Sequence, residues 1–115
     1  MPKSVSALAK RALAAGKGAM EEVRIHVFED DEDAHDEEAV EKLHADFAKQ
    51  FDKAVSTLSN EYRKPTRTGE SEYRSIPLNG VFRYAIWKVG KLELYVAAAH
   101  EDTEVPIILM LGMAG

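Results

Sequence analysis

The feature that most constrains the fold is a series of apolar segments over residues 72–113, separated by short turn signals. Asn79-Gly80 lies between the segments 73–78 and 81–89, and Gly90-Lys91 lies between 81–89 and 92–99. Asn-Gly is favoured in two-residue hairpin turns, because both central residues need positive φ. A polar stretch, 101–104, then precedes a nearly continuous apolar run over 105–113. The pattern predicts a four-stranded antiparallel meander over about 72–113.

A long amphipathic helix is predicted before this sheet. From Asp36 onward one apolar stripe recurs every three or four residues, formed by Val40, Leu43, Phe47, Phe51, Val55, Leu58 and Tyr62. Pro65 ends the pattern, so the helix is expected over about 36–63. Its stripe matches the apolar face of the sheet. We therefore predict a two-layer α+β sandwich in which residues 1–115 form a single domain.

The N-terminal part of the chain permits two interpretations at two places. Ser4 can cap a first helix, but residues 1–20 also combine four basic side chains with no acid, as an organellar presequence does. The segment 23–28 alternates Val23, Ile25 and Val27 with other side chains, which favours an additional strand. A helix continuing from Met20 is the alternative.

Alternation within the predicted strands assigns side chains to two sheet faces. In 81–89, Phe82, Tyr84 and Ile86 are expected on one face and Arg83, Ala85 and Trp87 on the other. In 92–99, Leu92, Leu94, Val96 and Ala98 oppose Glu93, Tyr95, Ala97 and Ala99. A second face that contains Trp87 and Tyr95 is too apolar to be freely solvated. Either the first helix or a partner is expected to cover it.

Composition excludes several classes of chemistry. The chain has no cysteine, which excludes disulfides, thiolate metal sites and thiol nucleophiles. Its serines and glycines fit neither a nucleophile elbow nor a phosphate-binding loop. The longest apolar run is far shorter than the roughly 20 residues that cross a bilayer. We expect a soluble, cytoplasmic protein with no cofactor, no resident metal and no membrane association.

Acidic residues are concentrated in the middle of the chain. The net charge is −5, but residues 21–61 hold 14 acids against 4 bases, and eight of the ten residues 29–38 are acidic. A calcium loop starting at Asp31 fails, since Lys42 stands where the bidentate glutamate is needed. The run is interpreted either as a solvated loop before the helix or as a docking surface for a basic partner. The predicted docking residues are Glu29, Asp30, Asp31, Glu32, Asp33, Asp36 and Glu37.

Two weaker constellations are present. His100 and Glu101 lie at the predicted third connection between strands, and together with Arg83 and Tyr84 they are the candidates for a ligand pocket between helix and sheet. A basic and aromatic group surrounds the end of the long helix: Tyr62, Arg63, Lys64, Arg67, Tyr73 and Arg74. It could hold single-stranded nucleic acid, but pairing with the chain's own acidic block, residues 21–61, is favoured, so no nucleic-acid partner is predicted.

Three functions follow from these patterns. The first is a non-enzymatic interaction protein whose acidic surface, 29–38, binds a basic partner, such as an immunity-type inhibitor of a nuclease toxin. The second is a homo-oligomeric module, most simply a dimer, that packs through its C-terminal strand or through the face containing Trp87 and Tyr95. Pro106 is taken to place that strand at a sheet edge. The third is a ligand-binding domain or enzyme with a cleft near His100.

Overall fold

The computed structural model describes residues 4–28, 34–102 and 105–115. Its elements in chain order are helix α1 (Val5–Ala15), strand β1 (Met20–His26), helix α2 (Glu37–Glu61), and strands β2 (Arg67–Gly69), β3 (Val81–Val89), β4 (Leu92–Ala99) and β5 (Ile107–Ala114). The architecture is α+β, as predicted. The predicted strand over 23–28 is confirmed as β1, which begins at Met20.

The five strands form one antiparallel sheet in the order β1-β5-β4-β3-β2. Strands β2 to β5 are neighbours in sequence order, which confirms the meander, and β1 adds to it beside β5. The expected edge position of the C-terminal strand is wrong, because β5 lies between β1 and β4. Pro106 directly precedes the first residue of β5, so its missing N–H does not interrupt the ladder.

The first strand of the meander lies elsewhere than predicted. It is the short β2, where Thr68 pairs with Ala85, whereas residues 73–78 form a loop. Pro77 interrupts that segment. Asn79-Gly80 is not the predicted two-residue hairpin turn, because Gly80 has positive φ, at +71°, but Asn79 does not. The turn at Gly90-Lys91 is confirmed, with Val89 opposite Leu92.

Both helices pack on the same face of the sheet. Ser4 caps α1 by accepting a hydrogen bond from Ala7 N, and α2 agrees with the predicted helix to within a few residues at each end. The shared core contains Leu8, Ala9 and Ala12 of α1, Phe47, Phe51, Ala54 and Leu58 of α2, and Trp87, Leu94, Val96, Leu109 and Leu111 of the sheet. The apolar stripes of both helices pack on one continuous apolar face of the sheet, and this packing orients the helical layer on the sheet.

The strand register corrects the predicted sheet faces. Trp87 is opposite Leu94 and Ile86 is opposite Tyr95, so Trp87 and Tyr95 lie on different faces. An irregularity between Val81 and Arg83 also moves Phe82 to the helix-covered face, because a bulge inverts the alternation.

The second face is covered in part by the chain's own loop rather than by α1. Tyr73, Ile76 and Leu78 pack there against Tyr84 and other residues of β3 and β4. The loop therefore shields the apolar side chains of β3 and β4 on this face from solvent. Neither helix in the described ranges combines the length and apolar composition of a bilayer-spanning helix.

Candidate functional site

The acidic end of the molecule is built on the start of α2. Asp36 caps the helix, and its Oδ1 accepts a hydrogen bond from Ala39 N at 3.2 Å. Glu37 and Glu38 occupy the first turn, where the positive end of the helix dipole stabilises carboxylates. The predicted docking residues Glu29, Asp30, Asp31, Glu32 and Asp33 lie outside the described residues.

Glu37 lines a pocket that the first residues of the β4–β5 connection help to form. The open pocket measures about 540 Å³, and its lining includes Ala34, His35, Glu37, His100, Glu101 and Asp102. The end of the acidic run and the candidate pocket residues around His100 therefore meet at one site, although they lie far apart in the sequence. The carboxylates of Glu37, Glu101 and Asp102 give this pocket its charge.

The two residues before β3, Asn79 and Gly80, fix the first part of this connection. His100 N donates to Gly80 O at 2.9 Å, and Asn79 Nδ2 donates to Glu101 Oε1 at 3.1 Å. Gly80 combines positive φ with close packing, since a Cβ there would lie 2.5 Å from the Glu101 Cα and from the His100 carbonyl oxygen. Only glycine satisfies both conditions, so Gly80 positions one wall of the pocket.

A pair of histidines lies behind the pocket. His44 Nε2 and His100 Nδ1 are 2.8 Å apart and share a hydrogen bond that joins α2 to the end of β4. His44 also stacks on Phe82 at a centroid distance of 4.7 Å, and Phe28 packs on His100 at 5.8 Å. Aromatic contacts thus hold both rings in place.

The environment of His44 disfavours its charged form. Burial, followed by the proximity of His100, lowers the pKa of His44. His100 Nε2 is buried and has no hydrogen-bond partner. If both imidazoles carried a positive charge, two N–H donors would face each other and the hydrogen bond would be lost. The contact between α2 and the end of β4 therefore requires at least one neutral ring.

The remaining predicted pocket residues lie at another place. Arg83 Nη1 contacts Asp52 Oδ1 at 3.2 Å, and its Nη2 lies 3.9 Å from Glu70 Oε1. Tyr84 accepts a hydrogen bond from Arg67 Nε at 3.1 Å on the opposite sheet face. Arg83 and Tyr84 line a separate pocket of about 350 Å³ between α2 and β2, away from His100.

His44 is the site residue that sequence reasoning missed as a partner of His100. Its signal was present, since position 44 follows Val40 by four residues and precedes Phe47 by three, within the apolar stripe of α2. A histidine in such a stripe faces the sheet and needs a polar partner there. No group of three or more His, Cys, Asp or Glu residues suited to a metal occurs in the described ranges.

Arg63, a member of the basic and aromatic group, lies at the opposite end of α2 from the acidic residues 36–38. The acidic residues begin α2 and Arg63 follows its other end, so a helix of 25 residues separates them by roughly 36 Å. Arg67 instead lies over the Tyr73 ring at 5.0 Å. The distance along α2 excludes pairing of Arg63 with Asp36, Glu37 or Glu38, whereas Glu61, the last acid of the block 21–61, lies two positions before Arg63.

Comparison of the chain with protein-family models, with curated proteins and with solved structures finds no match.

Proposed function

We propose that this chain is a cytoplasmic, non-enzymatic interaction protein that binds a basic partner through its acidic end. The observation that carries the proposal is the meeting of Glu37, Glu101 and Asp102 around one open pocket. The sequence adds five acids, 29–33, immediately before this part of the chain. An acidic surface with a recess at its centre suits a partner that presents a lysine or arginine side chain.

The pocket provides a recess that can take an inserted side chain, which a flat acidic surface does not. Opposite charges around an interface mainly raise the association rate and select the partner, while a side chain inserted into a recess supplies much of the affinity. Arginine is the residue most suited to such a recess, because its guanidinium can contact two carboxylates and stack on neighbouring rings. The backbone bonds of Gly80 and His100 hold one wall in place, so little ordering is required on binding.

An immunity-type inhibitor of a nuclease toxin is the specific form of this proposal. Nuclease active sites carry basic side chains that bind phosphates, and a dense acidic surface can occupy such a site in their place. The small size of the chain and its acidic run, 29–38, both suit that role.

The test is affinity capture from the native host at low and moderate salt. The pocket variant combines Glu37→Gln, Glu101→Gln and Asp102→Asn, and the amide oxygen that Glu101→Gln introduces can still accept from Asn79. The control variant removes three exposed acids elsewhere, by Glu22→Gln, Asp46→Asn and Glu72→Gln. A second variant, with asparagine at Asp30, Asp31, Asp33 and Asp36, tests the acidic run itself.

We expect capture of a basic protein that weakens about tenfold or more in the pocket variant and much less in the control. Higher salt should weaken capture as well, because exposed charges are screened. If the captured protein is a nuclease, the wild-type chain should inhibit it and the pocket variant should not. Equal capture by wild type and by both acidic variants would refute the assignment.

Self-association is a second candidate, and one observation favours it. Met20, Ile25 and Val27 are 42%, 43% and 58% exposed along the edge strand β1 and the residue after it. Trp87 is 1% exposed, and both edges of β5 are paired within the sheet, so neither is available for this role. Sedimentation of wild type and of Ile25→Lys would decide: a dimer lost on substitution supports assembly through β1, and a monomer in both excludes it.

A further inference from the structure

The face of the sheet opposite the two helices is exposed along β1 and β5. Tyr73, Ile76 and Leu78 shield the half formed by β3 and β4, and Ile108 of β5 lies at the border of that cluster. Because strand side chains alternate, Met110 shares the face of Ile108. Both side chains are partly exposed, so the cover that the described residues provide does not extend fully over β5.

The neighbouring side chains of β1 are more exposed. Ile25 is opposite Ile108 and Met20 is opposite Gly112, so both lie on this face. Met20 and Ile25 are 42% and 43% exposed, and Val27, which follows β1, is 58% exposed. A partner can therefore bury apolar surface here without displacing any part of the fold. The apolar side chains of β1 and β5 on this face are called the β1–β5 strip: Met20, Ile25, Ile108 and Met110.

The β1–β5 strip is continuous with the acidic pocket through Glu101. This residue lines the acidic pocket and also a smaller recess of about 170 Å³. The smaller recess is lined by Ile108 of the strip and by Val105 and Pro106, which are partly exposed. Apolar side chains therefore begin where the acidic pocket ends.

The charge of the strip indicates the kind of partner. Glu22 is exposed and lies opposite Met110, and it is the charged side chain that β1 and β5 place on this face. Two copies packed through the strip would bring two such acids together on chains of net charge −5, and like-charge repulsion opposes this. A segment with basic side chains beside its apolar ones has the complementary charge.

The face suits this partner better than the open edge of β1 does. The register of β1 against β5 shifts between Glu22 and Arg24, and such a bulge disrupts the regular backbone ladder that an added strand needs. From Met20 to Ile25 the strip is about 16 Å long at the ordinary rise of a strand. About three turns of an α-helix span this length, so an amphipathic helix can contact the whole strip with one face.

We propose that the β1–β5 strip binds a basic amphipathic helix, whose apolar residues pack on Met20, Ile25 and Ile108 while a neighbouring lysine or arginine enters the acidic pocket. This inference rests on the proposed function, because it assigns the strip and the pocket to the same basic partner. The strip supplies apolar contact, and the pocket supplies charge and orientation.

The probe is a synthetic peptide of about 18 residues with leucine on one helical face and lysine or arginine on the other. Two control peptides have the same length. One contains the same residues in an order that has no apolar face, and the other carries glutamate in place of every base. Fluorescence anisotropy should show saturable binding of the probe to the wild-type chain and at least about tenfold weaker binding of either control peptide.

A pair of matched variants tests the strip itself. The strip variant combines Met20→Gln and Ile25→Thr, two substitutions at exposed side chains that should leave the fold intact. The control variant combines Tyr62→Gln and Val89→Thr, whose side chains are similarly exposed, at 45% and 42%, but lie elsewhere. We expect the strip variant to bind the probe about tenfold more weakly and the control variant to change binding by less than about twofold. Circular dichroism establishes that each variant is folded.

Three results would overturn the proposal. The first is equal affinity of wild type and the folded strip variant for the probe, and the second is equal binding of the probe and the peptide without an apolar face. The third is sedimentation of wild type as a dimer and of the strip variant as a monomer, because a second copy then covers the strip.

The variant of the acidic pocket, described above, separates this inference from the proposed function. Weaker probe binding in the strip variant alone supports the strip and contradicts the pocket. Weaker binding in the pocket variant alone supports the pocket and contradicts the strip. Weaker binding in both variants is the expected result.

Discussion

His44 and His100 share a hydrogen bond of 2.8 Å although 56 positions separate them in the chain. The bond joins the first half of α2 to the end of β4, directly behind the acidic pocket. It is therefore a polar link between the two layers, and the same two rings also contact Phe82 and Phe28.

Titration of His44 should make stability depend on pH. Because burial lowers the pKa of His44 below the 6.5 of the unfolded chain, the unfolded chain takes up a proton first as the pH falls. The free energy of unfolding should then decrease below about pH 6.5 and level off once folded His44 is protonated too. Urea unfolding at about pH 8 and about pH 5 measures the decrease.

The matched variant is His44→Gln, which keeps a side chain capable of hydrogen bonding but does not titrate. It should lose less stability between the two pH values than wild type does. If both proteins show the same pH dependence, the titration of His44 does not contribute to stability.

Removal of the Tyr95 hydroxyl should not destabilise the protein. The hydroxyl is buried without a hydrogen-bond partner, and burial raises the pKa of this phenol. We expect Tyr95→Phe to be neutral or to raise the free energy of unfolding by up to about 1 kcal/mol. Tyr84→Phe is the contrasting variant, since its hydroxyl accepts from Arg67, and it should cost about 0.5–1.5 kcal/mol. A loss above about 1 kcal/mol in Tyr95→Phe would indicate a bound water as partner.

Two glycines with similar φ should tolerate alanine differently. Gly80 and Gly90 have φ of +71° and +63°, but a Cβ at position 90 meets nothing within 4 Å, whereas one at position 80 meets the backbone of His100 and Glu101. Gly90→Ala should cost about 1 kcal/mol through backbone strain alone. Gly80→Ala should cost at least about 1 kcal/mol more and distort the acidic pocket. Denaturant midpoints measure both, and equal costs would contradict the close packing at Gly80.

Asp36 should separate helix capping from charge. Asparagine caps as well as aspartate does, so Asp36→Asn should change stability by only a few tenths of a kcal/mol, while Asp36→Ala should cost about 1 kcal/mol. Thermal unfolding of the two variants measures the difference. Comparable losses in both would mean that the charge of Asp36, and not its hydrogen bond to Ala39, stabilises the start of α2.

The sequence predicted the elements with a clear hydrophobic periodicity or turn signal. It did not predict contacts between segments that are distant in the sequence. The stripe from Val40 to Tyr62 specified α2, and Gly90-Lys91 specified a hairpin. The strand predicted over 73–78 was wrong because Pro77 and tertiary packing keep that segment as a loop on the sheet. The three residues of β2 are too few to show a period.

The candidate site shows the same limit. Acidic composition indicated the start of α2, and His100-Glu101 indicated a strand end, but no local pattern shows that these two segments meet. The separation of Trp87 from Tyr95 also depends on strand register and on the irregularity near Phe82, which alternation alone does not reveal.

The internal position of β5 sets the order in which the sheet can be completed. Until residues 107–114 have been synthesised, β1 and β4 lack the strand that lies between them, and each exposes an unpaired edge. The β1–β5 pairing also spans most of the chain, and such distant pairings slow folding. A folding chain in which β3 and β4 have already paired therefore exposes the second edge of β4 until β5 joins it.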